Sequence, residues 1–427
     1  MDNSMADLKK IVIVGGGFGG LKAARDFNNK PGFSVLMIDR FNYHQFQPLF
    51  YQVATAGLDA SNISFPLRKV FHRSKNVRFR IGEVSSIDTN RNVVVTPQEE
   101  YAYDILIIAT GADTNFFGNA EITANSFPMK STVEALQIRH RLLQNFEDAL
   151  HIENEKDREI IMSIVIVGGG PTGVEMSGTI ADMKRFVLPK DYPDLDFNLM
   201  KIYLVEGSPK VLGTMSDKSS ADSLRYLQRL GVTVMTNNVV KSYDGKTVTL
   251  QNGETINTSM VIWAAGIKGN VPTGIQADIV VKGNRIKVDR DHKVHGLTNV
   301  YAIGDIAYME TELYPHGHPQ VASVAIQQGD DVAKKLLHTN EKLEPFEYND
   351  KGSMATVGRN LAVVDIPKPE LHFNGFFAWL IWMGLHLVLI LGVKNRLAVF
   401  SNWVYNYITY DQNLRLIFKE FYRPKSK

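Results

Sequence analysis

The chain of 427 residues contains no cysteine. That absence excludes disulfides, thiolate metal sites, iron-sulfur clusters, a thioether link to a cofactor, and every redox mechanism that passes electrons through a cysteine pair. Net charge is nearly as scarce, +2 from 47 basic and 45 acidic side chains, so no charge excess points to nucleic acid or to an acidic partner. The opening residues MDNSMADLKK hold no apolar run, so no secretory leader is expected and the catalytic body is expected to face the cytoplasm. The length leaves room for two or three domains with ample core.

What is present is glycine in a telling place. Ile11 to Gly20 reads IVIVGGGFGG, a run of β-branched residues suited to a strand buried on both faces, then Gly15-x-Gly17-x-x-Gly20 turning into a helix expected to begin near Leu21. Such glycines let the backbone bend tightly and approach a pyrophosphate, and the free N–H groups of the helix start hold the anion. The next strand, Ser34 to Ile38, ends in Asp39, placed 19 residues past Gly20 to accept hydrogen bonds from a ribose. Gly19 and Arg40 complete this first candidate set.

The chain repeats the device. Ile164 to Gly173 reads IVIVGGGPTG, with Gly168, Gly170 and Gly173 in equivalent places, and a later strand ends in Glu206. Hairpin segments follow each motif, Val77 to Val95 and Val232 to Leu250, and then a short apolar strand with Thr110-Gly111 in the first copy and Ala265-Gly266 in the second. Two tandem copies of a nucleotide-binding domain explain this. The second copy carries an insertion, Phe186 to Asn198, which lengthens the spacing from Gly173 to Glu206 to 33 residues.

Phe41 to Leu58 is too apolar and aromatic for an exposed connection. It reads either as a packed loop and helix or as the lining of a flat aromatic ligand, with Gln47, Pro48, Tyr51 and Gln52 in contact. Ser131 and Glu134 form a capping box for a helix over Thr132 to Leu150, expected to bridge the two domains. Leu297 to Asp305 reads as a buried strand ending in a Gly304-Asp305 turn, where the aspartate serves as a cap or as a ligand group, and a helix follows from about Gln320 to Leu337.

Together these motifs resemble the flavoproteins with two dinucleotide-binding domains, the glutathione-reductase-like group. Within it, NYHQFQPLFYQVATAGL, GGGPTGVE and ASVAIQQG resemble the type II NADH dehydrogenases, single-subunit NADH:quinone oxidoreductases. The resemblance implies FAD on the first glycine turn, with Asp39 on the adenosine ribose and Asp305 on the ribitol, and NADH on the second turn. It also implies Glu175 beside flavin and nicotinamide, as a proton relay or as a group that orients them, and a quinone facing Gln327. The family's usual Ala-Gln-x-x-x-Gln reads Ala322-Ser323-Val324-Ala325-Ile326-Gln327 here, so only the second glutamine carries over and Ser323 offers a hydroxyl instead.

Leu371 to Val393 holds no charged residue, and Gly375 to Val393 as one helix would span ~28 Å. Lys394 to Arg396 then open an amphipathic aromatic segment, with Arg415, Lys419, Arg423, Lys425 and Lys427 after it. Length alone licenses a membrane span, whereas the resemblance implies helices lying in the bilayer surface. The expectation is therefore an α/β fold of two tandem Rossmann-like domains plus a C-terminal helical membrane-binding region. The expected divisions are an FAD domain over 1–125 and 286–345, an NADH domain over 126–285, and a membrane-anchoring region over 346–427. The expected function is non-pumping NADH:quinone oxidoreduction at the cytoplasmic side of the inner membrane, with no metal, no nucleic acid and a possible homodimer. Reduction of a small electron-carrier protein and a signalling or assembly role are the other readings. Sulfide:quinone chemistry is excluded by the missing cysteines.

Overall fold

The computed structural model describes residues 8–418. Strand β1 (Lys9–Val14) is buried along its IVIV run and passes through the first glycine turn into helix α1 (Phe18–Asp26), after which strand β2 (Phe33–Asp39) returns. Helix α1 starts at Phe18 rather than near Leu21, because the turn is complete at Gly17. Helix α2 (Phe50–Ala54) and strands β3 (Val77–Ile81), β4 (Ile105–Ile108) and β5 (Phe127–Pro128) follow. Ser131 Oγ accepts the Glu134 N–H at 3.2 Å while Glu134 reaches back to the Lys130 N–H, and this cap opens helix α3 (Thr132–Ala149).

The second glycine turn joins strand β6 (Ile164–Val167) to helix α4 (Pro171–Phe186). Strands β7 (Ile202–Val205), β8 (Val232–Met235), β9 (Met260–Trp263) and β10 (Val300–Ala302) precede helix α5 (Ala322–Leu337). The chain then forms strands β11 (Ser353–Gly358), β12 (Leu361–Pro367) and β13 (Glu370–Asn374), helix α6 (Gly375–Leu389) and helix α7 (Val393–Thr409).

These elements group into two compact units. One gathers the chain up to Gln45 with Ser64–Asp113 and Ile267–Asp350; the other gathers Phe46–Ile63, Thr114–Gly266 and the chain from Lys351 on. The first unit holds a parallel sheet in the order β10-β4-β1-β2-β3, with Ile11 beside Val35 and Ile105. Ile11, Ile13, Met37 and Ile107 are fully buried, as a sheet covered on both faces requires. Val77–Ile81, expected in a hairpin, is instead the outer parallel strand, and the antiparallel ladder is Ser86–Asp88, Val93–Val95 and Glu100–Ala102.

The second unit repeats the plan with the order β5-β9-β6-β7-β8 and its own antiparallel strands Val240–Tyr243, Thr247–Leu250 and Thr255–Asn257. Helix α3, expected to bridge domains, belongs to this unit and packs on α2. So does an antiparallel sheet of β11, β12 and β13, whose Ala362 and Val364 pack against Ala378 of α6. The C-terminal region is therefore not wholly helical.

The uncharged run does not form one helix either. Helix α6 stops at Leu389, and Gly392, at φ +85°, turns the chain into α7. Fifteen residues reach only about 22 Å, and among the described residues no helix is long and apolar enough to cross a membrane. Phe377, Val388, Val393, Leu397 and Ile408 are exposed on these two helices. Arg415, read as part of a basic tail, is paired with Asp191 and Asp411, so its charge is satisfied within the protein. Lys419, Arg423, Lys425 and Lys427 lie outside the described residues.

Candidate functional site

The first unit shapes a cradle from its glycine turn between β1 and α1. Gly15 has φ +108°, and a Cβ there would sit 2.2 Å from the Ala109 carbonyl oxygen, so only glycine is accommodated. Gly20 lies as tightly on Gly15, and Gly19 lies 3.0 Å from the Ala325 carbonyl of α5 by the same measure. Nothing lies within 4 Å of the corresponding position at Gly17, the N-cap of α1, and that helix start has neither a side-chain cap nor an acidic first turn. A helix start with no side-chain cap and with open space before it suits a phosphate group.

Asp39 borders this cradle. Its carboxylate accepts the N–H groups of Gly16 at 2.6 Å and Phe41 at 2.7 Å; burial lifts its pKa while those two donors pull it down. His44, unsuspected from sequence, holds the same turn through Nδ1 and the Gly16 carbonyl at 3.0 Å, and burial lowers its pKa to about 4, so it is neutral. The Arg40 guanidinium is 3.9 Å from Asp113. Thr110 donates to the Asn270 carbonyl at 2.7 Å and Gly111 accepts the Asn270 N–H at 3.0 Å. Gly304, at φ +75°, donates its N–H to Oε1 of the buried Gln328 at 2.7 Å, and Gln320 Nε2 donates to the Asp305 carbonyl at 2.8 Å.

Gln327 and Ser323 differ from the picture of side chains aimed at a ligand. Gln327 Nε2 donates to the Asn349 carbonyl at 2.9 Å and its Oε1 accepts the Asn349 N–H at 3.0 Å, a two-sided pairing with one residue's backbone. An amide nitrogen carries two N–H groups, so this pairing occupies one of them. Ser323 Oγ shares a hydrogen bond of 2.8 Å with the Tyr348 hydroxyl.

In the second unit the glycine turn recurs in detail. Gly168 has φ +110°, Gly173 packs on the Gly168 carbonyl, and space beside Gly170 is open at the start of α4, which again lacks a side-chain cap and a first-turn acid. Glu206 accepts the N–H groups of Gly169 and Ser208, as Asp39 does those of Gly16 and Phe41, despite the longer spacing. Gly266, at φ +74°, accepts the Asn115 N–H at 3.2 Å beside Ala265. Gln47 is exposed and Pro48 half-buried in a turn, Gln47–Leu49, that leads into α2.

Glu175 lies in the second turn of α4, because that helix begins at Pro171. Its carboxyl is buried, with Oε1 3.4 Å from the Thr356 N–H of β11. Burial pushes its pKa up to about 8, which the Thr356 N–H and the nearby Trp382 indole only partly offset. That indole Nε1–H makes no hydrogen bond of normal geometry, so we regard burial as decisive. The buried Tyr51 hydroxyl, whose pKa burial and the Glu175 charge raise well above 10, accepts from Gln52 Nε2 at 2.9 Å. Gln52 Oε1 in turn accepts the Trp403 indole N–H at 2.7 Å.

Tyr51, Gln52, Thr356, Trp382 and Trp403 line a cavity of about 150 Å³, partly open to solvent. A neutral carboxyl under an aromatic-walled cavity can give or take a proton near neutral pH. Among the described residues no group of three or more His, Cys, Asp or Glu side chains could hold a metal ion.

Comparison with known proteins places this geometry in context. Residues 9–329 match the family described as pyridine nucleotide-disulphide oxidoreductase, and residues 351–409 match the NDH2 C-terminal domain. The type II NADH:quinone oxidoreductase Ndh of Mycobacterium tuberculosis is 34% identical over 420 residues, covering 94% of this chain and 88% of that one. NdhA of the same organism, also a type II NADH:quinone oxidoreductase, is 34% identical over 413 residues, 92% and 86% of the two chains. The solved structure of NDH2 from Plasmodium falciparum in complex with NADH superposes with a TM-score of 0.86 at 22% identity, covering 96% of this chain and 100% of that one, a likeness of fold.

Proposed function

The chain belongs to the pyridine nucleotide-disulphide oxidoreductase family and, within it, to the type II NADH:quinone oxidoreductases, and from that premise we propose how its residues share the reaction. The enzyme transfers two electrons from NADH, by way of FAD, to a quinone. Bound FAD supplies the redox chemistry, accepting hydride and passing electrons on. The protein binds, orients and supplies protons.

In the first unit, Gly15, Gly17, Gly19 and Gly20 shape the cradle for the FAD pyrophosphate. Asp39 and Arg40 serve its adenosine end, Thr110 and Gly111 close the turn beside it, and Gly304-Asp305, oriented by Gln328, serves the ribitol. The open space at Gly17 and the uncapped start of α1 support this fit. In the second unit, Gly168, Gly170 and Gly173 cradle NADH, with Ala265-Gly266 behind them and Glu206 at the ribose. Glu206 would accept from a 2′-hydroxyl and repel a 2′-phosphate, and Gly207 and Ser208 offer that phosphate no cation. The expected result is a kcat/KM for NADH about tenfold or more above that for NADPH. Comparable values in a steady-state assay would count against Glu206 as the reader of the ribose.

The observation that carries the quinone reading is the cavity of the second unit, with Glu175 buried beneath it and tryptophans of α6 and α7 in its wall. A quinone is a flat ring that takes up protons with its electrons; the cavity supplies aromatic walls, and Glu175 lies behind its lining residues Tyr51, Thr356 and Trp382. The exposed apolar faces of α6 and α7 suit docking in the surface of the bilayer, where the quinone dissolves. We infer that the enzyme works on the cytoplasmic face of the inner membrane; among the described residues no helix is long and apolar enough to span it. Purified enzyme should turn over NADH with short-chain quinones, and flotation assays should show it bound to lipid vesicles. Turnover only with a small electron-carrier protein would sink the quinone reading, and light scattering would separate monomer from homodimer.

Gln327 does not line that cavity; the resemblance of its motif assigns it to the quinone, and beyond its pairing with the Asn349 backbone it keeps one N–H for a carbonyl, with Ser323 one turn earlier on α5. Gln327→Ala is expected to raise the apparent KM for quinone about tenfold, from loss of one such bond, while flavin reduction by NADH stays near normal. Stopped-flow separation of the half-reactions tests this. Slowed flavin reduction with unchanged quinone turnover would move Gln327 to the nicotinamide side.

A further inference from the structure

Oxidation of NADH by quinone consumes one proton from the medium: NADH, H⁺ and quinone yield NAD⁺ and quinol. Hydride brings two electrons and one proton, so the second proton needs a route of its own to the site.

Helix α4 offers such a route. Glu175, Thr179, Asp182 and Phe186 fall at intervals of four, three and four residues, on one face of the helix. Thr179, Asp182 and Phe186 line the same cavity as Tyr51, Thr356 and Trp382, the residues around Glu175. Thr179 Oγ1 donates to the Glu175 carbonyl at 2.8 Å, and Asp182 Oδ2 accepts the Arg359 N–H at 2.8 Å. Glu175 is buried and Asp182 only half-buried, so the face runs from interior to solvent. Seven residues of helix separate the carboxyl-bearing positions by about 10 Å, a gap that two or three waters would bridge.

We propose that Asp182 is the proton-inlet residue of this enzyme, taking a proton from the aqueous phase and passing it through cavity water along Thr179 to Glu175. The proposal rests on the reading of Glu175 as the proton-carrying group. In the transfer, the Asp182 carboxyl loses the proton it gained from solvent, the Glu175 carboxylate gains it, and no electron moves. The charged groups facing Asp182 are Arg359, from the turn between β11 and β12, and Arg185 of α4 itself; Asp411 lines the same cavity. The Arg359 guanidinium is held over the Tyr410 ring at 3.6 Å and the Tyr407 ring at 4.1 Å. Burial raises both carboxyls, Asp182 to about 6 and Glu175 to about 8.

Asp182→Asn keeps an acceptor for the Arg359 N–H and removes the proton. With NADH and a short-chain quinone, it is expected to slow turnover about tenfold, with FAD content and Tm unchanged and with rescue by millimolar formate, a small diffusible acid. Asp182→Glu should retain most of the rate. Infrared difference spectra of the resting enzyme should show a carboxyl band that titrates near pH 6 and is missing from Asp182→Asn. Wild-type turnover by Asp182→Asn, or a loss of rate that follows lowered Tm and resists formate, would overturn the proposal. If Glu175→Gln alone is slow, only the inlet is wrong; if Glu175→Gln is as fast as wild type, the reading beneath it fails as well.

Discussion

Glu175→Gln is expected to lower kcat about a hundredfold, the lower end of what a positioned acid or base contributes, with FAD content unchanged. Glutamine matches the glutamate in size and keeps an acceptor for the Thr356 N–H, so the cavity wall is preserved while the proton is lost. Wild-type turnover should follow a group near pH 8 that disappears from the variant's profile. Stability supplies an independent check. The folded carboxyl holds its proton up to about pH 8, whereas an ordinary glutamate releases it near 4.5, so the folded state binds more protons between those values. Stability therefore falls as pH rises through that window. Glutamine has no such proton, so the variant's Tm should decline less from pH 5 to pH 8. A variant with wild-type turnover and a wild-type pH profile would leave Glu175 as a packing residue of α4.

Gly178→Ala is expected to destabilise the second unit by about 3 kcal/mol, the upper end of ordinary overpacking. A Cβ at Gly178 would lie 1.5 Å from the Val357 carbonyl oxygen and 2.5 Å from its carbon, both backbone atoms of β11. Helix α4 rests directly on that strand, and this approach carries Glu175 to the Thr356 N–H. Relief requires moving the helix off the strand, so loss of activity should accompany the lower Tm. Gly384 in α6 is the control: nothing lies within 4 Å of its missing Cβ, and alanine there should stabilise by up to ~1 kcal/mol through helix propensity. Equal Tm shifts of one sign in the two variants would mean that backbone contact does not set the α4 position.

The two glycine turns and the acidic strand ends are legible in the chain because their determinants are local. A strand buried on both faces shows as IVIV, and a turn at positive φ shows as glycine at Gly15 and Gly168. A carboxylate at the end of the next strand shows as Asp39 and, less plainly, as Glu206, whose spacing is stretched by the insertion yet whose hydrogen bonds repeat those of Asp39. His44 and Gln328 were not legible, since each acts by reaching the backbone of a turn distant in sequence. The apolar run after Gly375 suggested one long helix because composition records hydrophobicity but not the break; Gly392 at positive φ makes it two.

By itself the sequence determined the two glycine turns, the acidic strand ends, the doubled α/β plan and the exclusion of cysteine chemistry, all properties of residue type at short range. The tertiary structure decided the rest. Glu175 becomes a proton-holding acid only because β11, α2 and α6, distant in sequence, bury it, and desolvation depends on what surrounds a group rather than on its neighbours in the chain. Gly178 is required only because another strand's carbonyl lies where its side chain would be. Gln327 came to pair with Asn349, and Asp182 to share a cavity with Tyr51, because burial and close packing assemble residues that no sequence spacing connects.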